Sequence, residues 1–197
     1  MKGLYLVTLD WDDTDKLLDV TERALQGGAS LVQYRHKTAD RALRQVQAER
    51  LLALCRRDRC PFVVNDHLEL CRLLDADGLH VGATNDSAAT ARAALGPTKI
   101  IGVSCYGSLD RARAAHQAGA SYVALGGFYP SRVKKYPVTT QIDIIAQAKV
   151  QIPLPCVVIG GRNQQCLHGA WSGSRGPRCC GAVPSVNWRE AITCRRG

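Results

Sequence analysis

The stretch Gly27–Lys37, G-G-A-S-L-V-Q-Y-R-H-K, decides how the rest of the chain is read. Its two glycines read as the stop of a preceding helix. An apolar run then leads into Gln33, Arg35 and Lys37, spaced two apart. On a strand, alternate side chains share a face, so an amide, a guanidinium and an ammonium would form one anion-binding comb. Arginine offers a planar donor fork and lysine a compact charge, a pairing suited to phosphate oxygens. The same spacing also fits an exposed edge strand with solvated charges.

Upstream, Gly3–Thr8 is a short apolar run of buried-strand length. Asp12, Asp13 and Thr14 can cap a helix carrying Leu17, Leu18, Thr21, Ala24 and Leu25 at helical spacing. Downstream, Thr38 or Asp40 can cap a second helix, with Leu43, Val46, Leu51 and Leu54 expected to face inward. Further strands read at Pro61–Val64, Gly78–Val81, Lys99–Ser104, Ser121–Gly126 and Cys156–Gly161, with helical patterns between them. Apolar strands alternating seven times with helices imply an α/β protein with a parallel sheet under a helical cover.

A repeat points to closure of that sheet. G-G-A-S-L-V at Gly27–Val32 recurs as A-G-A-S-Y-V at Ala118–Val123, with D-A-D-G-L-H-V at Asp75–Val81 between them. The small residue before each strand falls at Ala29, Ala76 and Ala120, so alternate strands are built alike. This suits a TIM (β/α)8-type barrel, whose interior is filled by layers from alternate strands. A doubly wound sheet is the other architecture compatible with the pattern.

The polar residues then gather in one kind of place. Gln33, Arg35, Lys37, Asn65, Asp66, His80, Ser104 and the Gly127–Lys135 loop all fall at or beyond the C-terminal ends of strands. In an α/β barrel that is the catalytic rim. Asp66 beside basic residues suits an ion pair or Mg²⁺, which takes one or two carboxylates plus phosphate and water. The plainer role for Asp66 is to cap the next helix. His80 reads as a structural strand histidine and stays outside the catalytic set. The loop Phe128–Lys135, F-Y-P-S-R-V-K-K, is long enough and basic enough to be functional.

Bulk composition removes other classes. The net charge is +9, but residues 162–197 contribute +5 of it and the rest of the chain carries no dense basic run, so nucleic acid is not an expected partner. No apolar run reaches the ~20 residues of a membrane span, and Met1 opens on K-G-L-Y-L-V-T rather than a secretory leader. Nine cysteines without a paired framework read as reduced thiols. The chain reads as a cytoplasmic protein with no membrane partner.

Taken in order, Q-x-R-x-K, N-D, H-x-G, G-V-S, G-x-x-Y-P-S-x-x-K and I-G-G resemble the thiamine phosphate synthases from Leu4 to Gly161. That resemblance implies a TIM barrel that joins a pyrimidine diphosphate, 4-amino-2-methyl-5-(diphosphooxymethyl)pyrimidine, to a thiazole phosphate and releases diphosphate. It implies that Gln33, Arg35, Lys37 and Asn65 hold the pyrimidine diphosphate. Ser104 and Lys134 would contact the diphosphate, and Ser131, Arg132, Val133 and Gly161 would line the thiazole phosphate. Arg35, Lys37, Ser104 and Lys134 are the expected catalytic set. Asp66 would bind Mg²⁺, with Asp86 as a second carboxylate. The neighbouring alternatives are a thiazole tautomerase and a degenerate barrel that binds these phosphates without turnover; a homo-oligomer is left open.

Three features depart from the resemblance. Asn85 stands where the second metal carboxylate is expected, with Asp86 adjacent. Val133 replaces a hydroxyl in the thiazole-phosphate loop. Residues 162–197 hold four of the nine cysteines, two of the three tryptophans, and neither lysine nor aspartate. The chain therefore divides into barrel units one to seven (1–161) and an atypical tail (162–197) in place of the last unit. A changed reading frame near Arg162 would produce such a tail; a metal site using Cys166, His168, Cys179 and Cys180 is the other reading. Either way the eighth unit is expected to be incomplete or aberrant, leaving the first and seventh strands with unpaired edges.

Overall fold

A computed structural model describes residues 3–82, 85–128, 140–159 and 179–184, with residues 85–86 and 179–184 as backbone alone. Strands β1 (Gly3–Val7), β2 (Ala29–Tyr34), β3 (Phe62–Asn65), β4 (Gly78–Val81), β5 (Ile100–Tyr106), β6 (Tyr122–Gly126), β7 (Cys156–Ile159) and β8 (Cys179–Pro184) pair in sequence order and all in parallel. They close into a barrel. Helices α1 (Thr14–Gln26), α2 (Arg41–Arg57), α3 (Leu68–Leu73), α4 (Asn85–Leu95), α5 (Leu109–Gln117) and α6 (Ile144–Gln151) follow β1 to β6.

The repeat read in the sequence is a helix stop followed by a strand start. At the end of α1, Gly28 adopts φ +86° and its N–H donates to Leu25 O at 2.8 Å. At the end of α5, Gly119 does the same with φ +83° and a bond to His116 O. In the middle copy Asp75 takes this left-handed position at φ 49° and bonds Arg72 O. An aspartate tolerates that conformation better than most side chains. The polar residue two positions further on then ties the preceding strand: Asp77 accepts from Phe62 N at 2.8 Å and Ser121 Oγ from Ile101 N at 3.0 Å.

Strand alternation splits the core into two. Inside the barrel lie Tyr5, Val7, Leu31, Val63, Tyr122, Ala124 and Val157. Between strands and helices lie Leu6, Val32, Phe62, Leu79, Ile101, Val123 and their helical partners. Helix α1 is capped by Asp13, whose side chain accepts from Lys16 N, and α2 by Asp40, which accepts from Leu43 N. The inward face of α2 is only partly the expected one: Leu51 is buried and Leu54 packs against the core, but the face is turned toward Gln47 rather than Val46. Gln47, Ala48, Leu51, Leu52 and Cys55 are buried, while Val46 is 48% exposed. Gln47 can turn inward because its amide is satisfied there: it accepts from Tyr34 Oη at 3.0 Å and donates to Trp11 O at 2.9 Å.

The expectation of open edges at β1 and β7 is corrected. Strand β8 pairs with β1 from Gly3↔Cys180 to Val7↔Pro184, and with β7 from Cys156↔Cys179 to Ile159↔Ala182. It begins at Cys179, within the segment set apart by its composition. A parallel ladder is made by backbone groups, so the unpaired edges of β1 and β7 can be closed by a strand of unusual sequence.

Candidate active site

Four neighbouring strands carry the interior polar groups at the C-terminal mouth. Gln33 on β2, Asn65 on β3, His80 on β4 and Ser104 on β5 form a contiguous arc, linked pairwise. Gln33 is 4% exposed, and its Nε2 donates to Asn65 Oδ1 at 3.0 Å. Asn65 Nδ2 in turn donates to Asp66 Oδ2 at 2.7 Å. Opposite this arc, β6 and β7 present small or apolar residues, Ala124, Gly126 and Ile159. Among the described residues, the strand-borne polar groups of the mouth therefore lie on the β2–β5 side.

Beyond β2 the backbone leaves strand geometry, and the comb is arranged by the loop after β1. Thr8 Oγ accepts from Arg35 N at 2.8 Å. Asp10 accepts from Arg35 Nη1 at 3.1 Å and from Lys37 N at 3.0 Å. Arg35 is thus aimed by a carboxylate while Lys37 keeps an exposed ammonium. His36, between them, turns the other way and is buried. Its Nδ1 accepts from Ala39 N at 3.0 Å and its Nε2 lies 3.1 Å from Asp12 Oδ1. Asp10 has no local signal in the sequence, since its partners Arg35 and Lys37 come from a separate loop.

Asp66 does not cap α3. The N-cap position is His67, which makes no side-chain cap bond. Asp66 instead sits at φ 61° just past β3, with its N–H donating to His80 O at 2.8 Å. A non-glycine residue in that region costs roughly 1 kcal/mol or more and is commonly retained at functional sites. A cavity of about 230 Å³ is lined by His36, Lys37, Asn65, Asp66 and His67, so Asp66 and Lys37 border the same space. Burial, followed by the nearby Arg44 charge, holds the His67 imidazole below its ordinary pKa, against the opposing pull of Asp66.

His80 is the residue that the sequence understated. Its Nε2 lies 2.9 Å from Ser104 Oγ and its Nδ1 lies 2.8 Å from Tyr122 Oη. Tyr122 Oη lies 2.6 Å from Tyr5 Oη. Just after Ser104 the β5–β6 register shifts, a bulge between Ser104 and Tyr106 that re-aims the strand end. Ser131, Arg132, Val133, Lys134 and Gly161 lie outside the described residues, as does the Asp86 side chain, although its backbone belongs to α4. The suggested tail ligands Cys166 and His168 lie outside them too. Among the described residues no cluster of three metal-binding side chains occurs, and no helix is long and apolar enough to cross a membrane.

Residues 4–175 match the family model described as thiamine monophosphate synthase. The chain belongs to the thiamine monophosphate synthase family. Over 161 residues it is 63% identical to a thiamine-phosphate synthase of Janthinobacterium sp. (strain Marseille), covering 82% of this chain and 78% of that protein. A thiamine-phosphate synthase of Thiobacillus denitrificans is 50% identical over 159 residues, 81% of this chain and 75% of that one. A solved thiamine phosphate pyrophosphorylase from Pyrococcus furiosus shares the fold with a TM-score of 0.78 at 24% identity, covering 99% of this chain and 97% of that chain. Family membership assigns the chain to thiamine biosynthesis, as a transferase that forms thiamine phosphate with release of diphosphate.

Proposed function

We propose that the polar arc and the comb hold the diphosphate of the pyrimidine substrate while a thiazole phosphate enters over the apolar side of the mouth. The observation that carries this is the linked set Gln33–Asn65–Asp66 beside Arg35 and Lys37. It puts a buried amide, a carboxylate and two cations at one mouth. Gln33 and Asn65 orient the pyrimidine end, and Arg35, Lys37 and Ser104 receive the diphosphate, together with Lys134. Ser131, Arg132, Val133 and Gly161 are assigned to the thiazole phosphate.

Departure of diphosphate leaves positive charge on the pyrimidine methylene, and the ring nitrogen of the thiazole captures that carbon. No protein nucleophile is required. The protein contributes alignment of the two reactants and fixed positive charge where negative charge accumulates. Asp10 keeps the Arg35 fork aimed before the substrate arrives, so that little reorganisation is needed at the moment of reaction.

The donor set fits Mg²⁺ in its chemistry: Asp66 is a rim carboxylate oriented by Asn65, and a single carboxylate plus phosphate oxygens and water is a common Mg²⁺ set. Asp86 is the proposed second carboxylate. Bound there, Mg²⁺ would supply charge neutralisation for the leaving group. The retained Gln33, Arg35, Lys37 and Asp66 favour this reading over a tautomerase that needs no diphosphate site. All assigned residues fall within 1–161, so the atypical segment 162–197 is proposed to contribute closure rather than chemistry.

The test is calorimetric titration of the pyrimidine diphosphate with and without Mg²⁺, on the full chain and on Asp66→Asn. Tightening by Mg²⁺ that is lost in Asp66→Asn supports the assignment. Equal affinity with and without Mg²⁺ in both chains overturns it.

A further inference from the structure

From the hydrogen-bonded series Tyr5–Tyr122–His80–Ser104 we infer that His80 is a positioning residue: held by the two buried tyrosines, it turns the Ser104 hydroxyl into a donor aimed at the diphosphate. The inference rests on the reading of Ser104 as a diphosphate contact.

With a singly protonated imidazole and Tyr122 donating within the series, two polarities satisfy all three links. In one, Ser104 O–H donates to His80 Nε2, His80 Nδ1–H donates to Tyr122 Oη, and Tyr122 O–H points at Tyr5 Oη. The Ser104 proton is then directed away from the mouth. In the other, Tyr5 O–H donates to Tyr122 Oη, Tyr122 O–H to His80 Nδ1, and His80 Nε2–H to Ser104 Oγ. The Ser104 proton is then released toward the mouth. An ionised phosphate oxygen only accepts hydrogen bonds, so a diphosphate at Ser104 selects the second polarity. All three links are short, 2.6, 2.8 and 2.9 Å, so selection at one end is felt along the series.

The fold is shaped to keep this series intact. Tyr5 is 2% exposed, Tyr122 0% and His80 6%. The Tyr122 ring stacks near the His80 imidazole, with centroids 5.7 Å apart, and meets Tyr5 edge-on at 5.8 Å. Gly102 supplies the space: a Cβ there would lie 2.0 Å from Tyr122 Cζ. Tyrosine ring and histidine ring are thus fixed by packing as well as by hydrogen bonds, and only the proton positions remain to be chosen.

The test uses the full chain with Mg²⁺ and inorganic diphosphate as the probe, in wild type, Ser104→Ala, Tyr122→Phe and the double variant. Ser104→Ala is expected to weaken diphosphate binding about 10-fold, the scale of one hydrogen bond to a charged group. Tyr122→Phe, which keeps the ring, should weaken it severalfold, and the double variant should be no weaker than Ser104→Ala alone. The ¹⁵N spectrum of histidine-labelled chain, with the His80 signals assigned by His80→Gln, should show the Nε2–H tautomer once diphosphate is bound. Should Tyr122→Phe prevent folding, Tyr5→Phe takes its place: it removes the acceptor that the first polarity needs and leaves Tyr122 O–H to donate to His80 Nδ1, so diphosphate should bind at least as tightly as to wild type, and weaker binding overturns the inference. Multiplied losses in the double variant, or an Nδ1–H tautomer in the bound state, overturn the inference while leaving the diphosphate site in place. Unchanged affinity in Ser104→Ala overturns the site reading itself, and the inference with it.

Discussion

Replacing Gly102 by alanine tests the packing on which the site depends. The added Cβ would lie 2.0 Å from Tyr122 Cζ and 2.1 Å from its Oη. Carbon atoms in contact sit about 3.5 Å apart, so ring and strand must separate by roughly 1.5 Å. The Tyr122 ring is fully buried and its hydroxyl is held by both Tyr5 and His80, so it cannot yield without loosening those bonds. Overpacking of this kind costs about 1–3 kcal/mol, and each weakened hydrogen bond adds about 0.5–1.5 kcal/mol. A total of about 2–6 kcal/mol should lower the melting temperature by roughly 4–24 °C for a chain of this size. The assay is urea and thermal unfolding of Gly102→Ala, Tyr122→Leu and the double variant. The double should be clearly less destabilised than the sum of the singles, because Leu vacates the space the new Cβ needs. A Gly102→Ala chain within about 0.5 kcal/mol of wild type, or strict additivity in the double, refutes the reasoning.

Three further outcomes follow from named contacts. Asp10→Ala frees the Arg35 fork and the Lys37 amide, and should raise KM for the pyrimidine diphosphate about 10-fold while changing stability by no more than about 1 kcal/mol, measured by steady-state kinetics and unfolding. Asn65→Leu leaves the buried Gln33 amide without its acceptor and Asp66 without its donor; it should cost about 1–3 kcal/mol in urea unfolding and raise the Mg²⁺ concentration needed for half-maximal activity. Burial pushes the Cys60 and Cys71 thiols up to about 11 and Cys105 up to about 12, so at pH 8 peptides containing them should stay unlabelled by a thiol reagent until the chain is unfolded, as read by mass spectrometry.

Much of this architecture was legible because its causes are local. Gly28 and Gly119 stop their helices through positive φ, and Asp75 does so in the middle copy, which is why a short repeat could mark alternate strands. Gln33, Asn65 and Ser104 could be placed at the mouth from the sequence because they fall at or near the C-terminal ends of their strands. What escaped depends on distant partners. The face of α2 was misjudged because buried Gln47 looks polar while exposed Val46 looks apolar. Asp10 acts on Arg35 across 25 residues, and Tyr5 meets Tyr122 across 117. Such pairings leave no spacing to read. The eighth strand, C-C-G-A-V-P, carries a glycine and a proline and no alternation, so its ladder is visible only in the backbone pairing of β1 and β7.

The central claim is that this rim, led by Arg35, joins the two phosphorylated precursors. The most direct measurement follows thiamine phosphate formation by the full chain with pyrimidine diphosphate, thiazole phosphate and Mg²⁺, beside Arg35→Ala. The account predicts product from the wild-type chain and a loss of about 10²–10³-fold in kcat/KM for Arg35→Ala. Equal rates in the two chains, or binding of both precursors by the wild-type chain without product, would contradict it.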